Sequence, residues 1–109
     1  MLPFLGRAAS TQAADGPLRV PAAALMKRLR KRVSPAYPSI ARGMKVRGVV
    51  RLDAVIGRNG VVETVQPLEG PRVLQNAARK ALAQWRFRPV FVEGEPTRVV
   101  STFQFRFDP

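Results

Sequence analysis

The chain has 109 residues, enough for one small domain, and 46% of them are hydrophobic, enough for a small core. It has no cysteine and no histidine, which excludes disulfides, thiolate metal sites, cysteine nucleophiles and any Ser-His-Asp arrangement. The seven acids are scattered from Asp15 to Asp108 with no metal-ligand spacing, so the reading is a binding module without cofactor or metal rather than an enzyme; the formal charge of +12 favours an anionic partner, whether nucleic acid, a membrane surface or an acidic protein segment.

Residues 1–17 are small, polar and punctuated by proline and glycine, and read as a disordered tail or linker ahead of a domain over 18–109. The start lacks a basic n-region and a long apolar stretch, so it is not a signal peptide, and no run reaches membrane-spanning length. The chain is then either cytoplasmic or a piece of a longer exported protein. Leu18-Arg19-Val20 reads as a short strand, and Ala22 to Leu29 as a helix after Pro21. Lys27-Arg28-Leu29-Arg30-Lys31-Arg32 is a dense basic run, either a solvated face or a contact for an anionic surface. Val33-Ser34-Pro35-Ala36-Tyr37-Pro38 is extended, because two prolines fall within four residues. Ser39 to Lys45 forms a short helix that Gly43 weakens.

Arg47 to Ile56 is a strand, with Val50, Leu52, Ala54 and Ile56 on an apolar face and Arg47, Val49, Arg51, Asp53 and Val55 on a wetter one. Asn59-Gly60 is a hairpin signal, and Val61 to Leu68 returns. Its apolar Val62 and Val65 stand three apart, which predicts a bulge near Glu63-Thr64. After the turn Glu69-Gly70-Pro71, a helix runs from about Val73 to Trp85, with Leu74, Ala77, Ala78, Ala81, Leu82 and Trp85 on one face. Pro89 disfavours helical angles at Arg88, so Trp85-Arg86-Phe87-Arg88-Pro89 turns the chain out of the helix. Val92 to Pro96 is a polar turn. In the last strand Val99, Ser101, Phe103, Phe105 and Phe107 alternate with Val100, Thr102, Gln104 and Arg106.

The order strand–strand–helix–strand predicts an α+β fold. A small three- to four-stranded antiparallel sheet, βαββαβ-like, carries two helices on one face, in the spatial order second-first-third. The last strand then lies at an edge, with Arg106 as its one late charge and no internal proline. Either Leu18 to Val20 or the stretch near Val33 covers that edge, or a peptide pairs with it. Each net backbone hydrogen bond contributes roughly 0.5–1.5 kcal/mol, so a few of them make a reversible contact.

Tyr37-Pro38, Ala41, Gly48-Val49-Val50, Asn59-Gly60-Val61, Ala77-Ala78, Trp85-Arg86-Phe87-Arg88-Pro89 and Gly94 with Pro96 follow one another in an order and spacing that resemble the C-terminal domain of TonB-type energy transducers. The resemblance runs from about Val33 to Phe107. It implies a periplasmic domain that grips the N-terminal box of outer-membrane receptors by strand addition to its last strand. It also implies coupling to an inner-membrane ExbB/ExbD-type complex driven by the proton gradient. The implied partner-binding residues are Pro35, Tyr37 and Pro38 together with Val99 to Phe107. Tyr37 and the prolines have a plainer alternative as packing and turn residues. Ser34 stands where well-known members carry glutamine, and the chain shows no anchor or Pro-rich spacer through which force would pass.

Two other readings compete. Gly57-Arg58-Asn59-Gly60 resembles the Gly-x-x-Gly loop of KH-like RNA-binding domains, which joins two helices and clamps a nucleic-acid backbone. The alternating, β-branched approach from Val49 to Ile56 argues against it. A homodimer through residues 99–107 would use the same edge as a peptide.

Overall fold

The computed structural model describes residues 16–108, so the tail read over residues 1–17 lies outside it apart from Gly16 and Pro17. In chain order the elements are β1 (Leu18–Arg19), α1 (Ala22–Met26), β2 (Leu29–Lys31), α2 (Ser39–Gly43), β3 (Gly48–Ile56), β4 (Val62–Glu69), α3 (Arg72–Ala83), β5 (Arg86–Phe87), β6 (Val90–Val92), β7 (Glu95–Thr97) and β8 (Val99–Phe107).

The main sheet has the order β1-β8-β3-β4. Strands β4, β3 and β8 are antiparallel neighbours in the expected order. Strand β1 pairs with β8 in parallel, which makes the sheet mixed rather than wholly antiparallel. Its direction follows from what comes next: α1 must carry Leu25 into the core directly after Val20. The β3–β4 register shifts where Val55 pairs with Thr64 and Ile56 with Val62, leaving Glu63 as the extra residue of the expected bulge. A second shift and Pro67 lie further along β4, so this outer edge is blunted against further pairing.

One face of the sheet carries the core. Val50, Leu52, Ala54 and Ile56 of β3 and Val99, Phe103, Phe105 and Phe107 of β8 pack against Leu74, Ala78 and Leu82 of α3, Leu25 of α1 and Ala41 of α2. Three helices, not two, thus share that face. The other face is wet, with Arg51, Gln104 and Arg106 exposed.

Three local expectations change. The helix over Ala22–Leu29 stops at Met26, and Leu29–Lys31 instead pairs with β5, placing Leu29 opposite Phe87. Tertiary pairing outweighs the good helix propensity of the basic run. Helix α3 ends at Ala83 rather than Trp85, because the Gln84 and Trp85 amides donate to Ala81 and Leu82, three residues back. That tighter last turn swings Trp85 out of helical register. The polar turn over Val92–Pro96 is a hairpin between β6 and β7, closed by Glu93 (φ 52°) and Gly94 (φ 82°).

The Gly57–Gly60 loop joins β3 to β4, not two helices, so the KH-like reading loses its scaffold. Its two glycines are also packed away, while Arg58 and Asn59 are exposed. Gly57 and Gly60 are buried, and Gly60 accepts a 3.0 Å hydrogen bond from the Phe87 amide. A Cβ on Gly60 would sit 1.8 Å from the Phe87 oxygen, and its φ of +83° suits glycine.

Candidate functional site

Strand β8 alternates without a break. Val99, Ser101, Phe103, Phe105 and Phe107 are buried, and Val100, Thr102, Gln104 and Arg106 face the open side. Its backbone is paired to β3 along its whole length, from Val99 opposite Ile56 to Phe107 opposite Gly48. On the other side the Leu18 amide donates to Arg98 at 2.9 Å and the Val20 amide to Val100 at 3.0 Å. Backbone groups of successive strand residues alternate in direction, so Arg98, Val100, Thr102, Gln104 and Arg106 aim outward while the odd-numbered residues aim at β3. Strand β1 reaches only Val99 and Val100. From Thr102 onward the outward edge has no strand partner among the described residues.

The end of β1 is fastened. Ser101, fully buried, donates its hydroxyl to the Val20 carbonyl at 2.7 Å. The Arg19 guanidinium donates to Thr102 Oγ1 at 3.1 Å and to Asp53 Oδ2 at 2.9 Å. The Thr102 hydroxyl donates in turn to Asp53 Oδ1. That hydroxyl, followed by the Arg19 hydrogen bond and the charges of Arg19 and Arg51, holds the Asp53 carboxyl below the usual carboxylate range against partial burial. An open depression of about 320 Å³, lined by Arg19 to Ala22 with Ser101 and Thr102, marks where β1 leaves the edge.

Behind the free half of the edge lies an aromatic block. Trp85 is 3% exposed and meets Phe103 and Phe105 edge-on, with centroids at 5.8 and 5.5 Å. Its indole N–H donates to the Val33 carbonyl at 2.8 Å, which ties the extended stretch to the core. The rings fix β8 from below, so an incoming strand would meet a rigid edge.

The far end of β8 receives the Tyr-Pro stretch. Tyr37 is half-buried, packs edge-on against Phe107 at 5.9 Å and donates its hydroxyl to the Val46 carbonyl. Arg42 covers the ring at 5.1 Å. Pro38 is the N-cap residue of α2 (φ −62°, ψ 139°), and Pro35 is half-buried. The structure thus brings Tyr37 to the C-terminal end of β8. The side chains of Phe103, Phe105 and Phe107 turn into the core, so these residues offer the edge no side chain. Sequence reasoning missed Arg19 and Asp53. Their partners lie 83, 34 and 49 positions apart in the chain, and no local pattern marks such a network.

The comparisons agree with this architecture. Residues 33–109 match the family described as Gram-negative bacterial TonB protein C-terminal. Protein TonB of Pseudomonas aeruginosa is 29% identical over 108 residues, covering 94% of this chain and 31% of that protein. Protein TonB of Klebsiella pneumoniae is 28% identical over 80 residues, covering 71% of this chain and 31% of that protein. The chain thus spans 31% of the length of these relatives. The solution NMR structure of the Pseudomonas aeruginosa TonB CTD superposes with a TM-score of 0.63 at 28% identity, covering 75% of this chain and 85% of that one. With the family match spanning the extended stretch, the α3 cover and the whole of β8, the chain belongs to the TonB C-terminal domain family of energy transducers.

Proposed function

We propose that the free half of β8 captures an extended peptide by strand addition. The observation that carries this reading is the row of outward backbone groups at Thr102, Gln104 and Arg106, on a paired and rigid strand, beyond the point where β1 ends. Three such residues allow a few ladder hydrogen bonds at roughly 0.5–1.5 kcal/mol each, which gives a reversible grip. Family membership supports the choice of peptide: the N-terminal box of an outer-membrane TonB-dependent receptor, met in the periplasm. Pro35, Tyr37 and Pro38 flank the far end of the bound strand. Force reaches the domain from an inner-membrane ExbB/ExbD-type complex through an N-terminal anchor. The domain works by binding, not by catalysis.

The direction of each amide makes the test sharp. Gln104→Pro removes an outward donor and leaves the pairing with β3 intact; proline is tolerated at such an edge position. Binding of a synthetic receptor-box peptide, read by calorimetry, is expected to be lost in a domain that keeps its circular dichroism spectrum. Phe103→Pro removes an inward donor and is expected to unfold the sheet. Normal peptide binding by folded Thr102→Pro and Gln104→Pro variants would sink the proposal. Two copies pairing through the same edge would appear as a concentration-dependent dimer in sedimentation that Gln104→Pro dissolves.

A further inference from the structure

The basic run and the start of the Trp-Arg-Phe-Arg-Pro block, far apart in sequence, come together as one two-stranded ribbon of β2 and β5. The first strand and its flanks bring Lys27, Arg28, Arg30, Lys31 and Arg32; the second brings Arg86 and Arg88. None of these side chains has a carboxylate within ion-pair distance among the described residues. The ion pairs among the described residues (Arg19–Asp53, Arg51–Glu69, Arg98–Glu63 and Arg106–Asp108) all lie elsewhere. Lys31 even stands directly opposite Arg86, a like-charge cross-strand pair that destabilises a ribbon.

The ribbon is also held in shape. The Arg88 amide donates to the Arg28 carbonyl at 2.7 Å, Arg88 Nη2 to the Lys27 carbonyl at 2.9 Å, and Arg28 Nη1 to the Pro89 carbonyl at 3.0 Å. Arg32 stacks over Trp85 at 5.5 Å. Lys27, Arg30 and Lys31 are exposed. Repulsion is therefore built into a fixed scaffold rather than relieved by fluctuating chains. The β6–β7 hairpin, which follows β5 directly after Arg88-Pro89, exposes Phe91 to 56%, paired with Pro96 on the same face of the hairpin. Glu93 and Glu95 sit at the turn beyond them.

We propose that this ribbon is a docking surface for an anionic phospholipid bilayer. Guanidinium groups match phosphate oxygens in charge and geometry. Phe91 supplies an apolar ring at the rim, as interfacial contacts require. Single-stranded nucleic acid fits less well. Its recognition stacks successive bases on several aromatic faces, and among the described residues Phe91 alone is open, since Trp85 is buried under Arg32 and Tyr37 lies under Arg42. The site is separate from the β8 edge, so a bound peptide and a bound membrane do not compete.

Vesicle co-sedimentation tests this. The domain is expected to bind vesicles containing about 30 mol% phosphatidylglycerol in phosphatidylcholine, to ignore pure phosphatidylcholine, and to be released in about 0.5 M salt. Reversing three charges together, Lys27→Glu, Arg30→Glu and Lys31→Glu, is expected to weaken partitioning by more than about tenfold. The same net charge change placed at Lys45, Arg47 and Arg79 is expected to leave most of it, and Phe91→Ser to weaken it by a smaller factor. Equal loss from the two triple variants would overturn the proposal, since net charge alone would then suffice. So would the absence of vesicle binding, or tight RNA binding without it. Unchanged peptide binding in the ribbon variant separates this surface from the β8 edge.

Discussion

At the scale of single residues, the fold leans on a few positions whose neighbours are distant in sequence. Trp85 fills the space between the end of α3 and the inner face of β8, and its N–H is the partner of the Val33 carbonyl. Trp85→Ala is expected to cost about 3–5 kcal/mol in urea unfolding, through the cavity it opens. Any loss of peptide binding should then follow the loss of folded protein. Lys45 shows the opposite case. It adopts φ 55° at the end of α2, where the Val46 amide closes a 2.9 Å bond back to Ala41. That is the left-handed position of a helix stop, where glycine fits best. Lys45→Gly is therefore expected to stabilise the domain by about 0.5–1 kcal/mol. Asp53 ties stability to pH. Its carboxyl is held below its ordinary value, so its contribution is present above an unfolded-state pKa of about 3.9 and is lost as pH falls through the lower folded value. Arg19 is 58% exposed, so solvent screening limits the pair to about 1 kcal/mol or less. Asp53→Asn should lower stability at neutral pH by that order, and the gap to the parent protein should close in the acid range.

At the scale of elements, β8 was legible along its whole length, while β1 was legible as a short strand and one of two candidates to cover the β8 edge, but not in its direction or reach. Nine residues of strict alternation fix which side chains of β8 are buried, because a strand has only two faces and one of them must leave water. The bulge at Glu63 was legible for the same reason, as Val62 and Val65 must both reach the core face. Strand β1 has two residues, both exposed, and its place on β8 depends on Ser101, Thr102 and Asp53. This short strand sets where the free edge starts. A chain beginning at residue 21 is expected to show faster amide exchange at Val100, whose outward group then loses its cover. Exchange at Phe103 and Phe105, paired with β3, should stay slow. Equal acceleration along the whole of β8 would mean that β1 holds the sheet together rather than capping one stretch of its edge.

At the scale of the whole molecule, a charge of +12 is spread unevenly. The acids of β3 and β4 neutralise arginines around the sheet, and the β2–β5 ribbon keeps its repulsion. Moderate salt is accordingly expected to raise the melting temperature by screening that ribbon, and the triple Lys27, Arg30, Lys31 reversal to shrink the salt effect. An ordinary surface of interspersed pairs would show little response. The large elements, their buried faces and the order of β4, β3 and β8 were readable from the chain alone. Those follow from hydrophobic period, turn chemistry and the shortness of the connections, all local properties of the chain. The tertiary structure alone decided the parallel seat of β1, the pairing of the basic run with β5 and the direction of each amide on the free edge. Each of these depends on a partner dozens of residues away, and no periodicity encodes the energy of a contact that exists only once the sheet has closed over its helices.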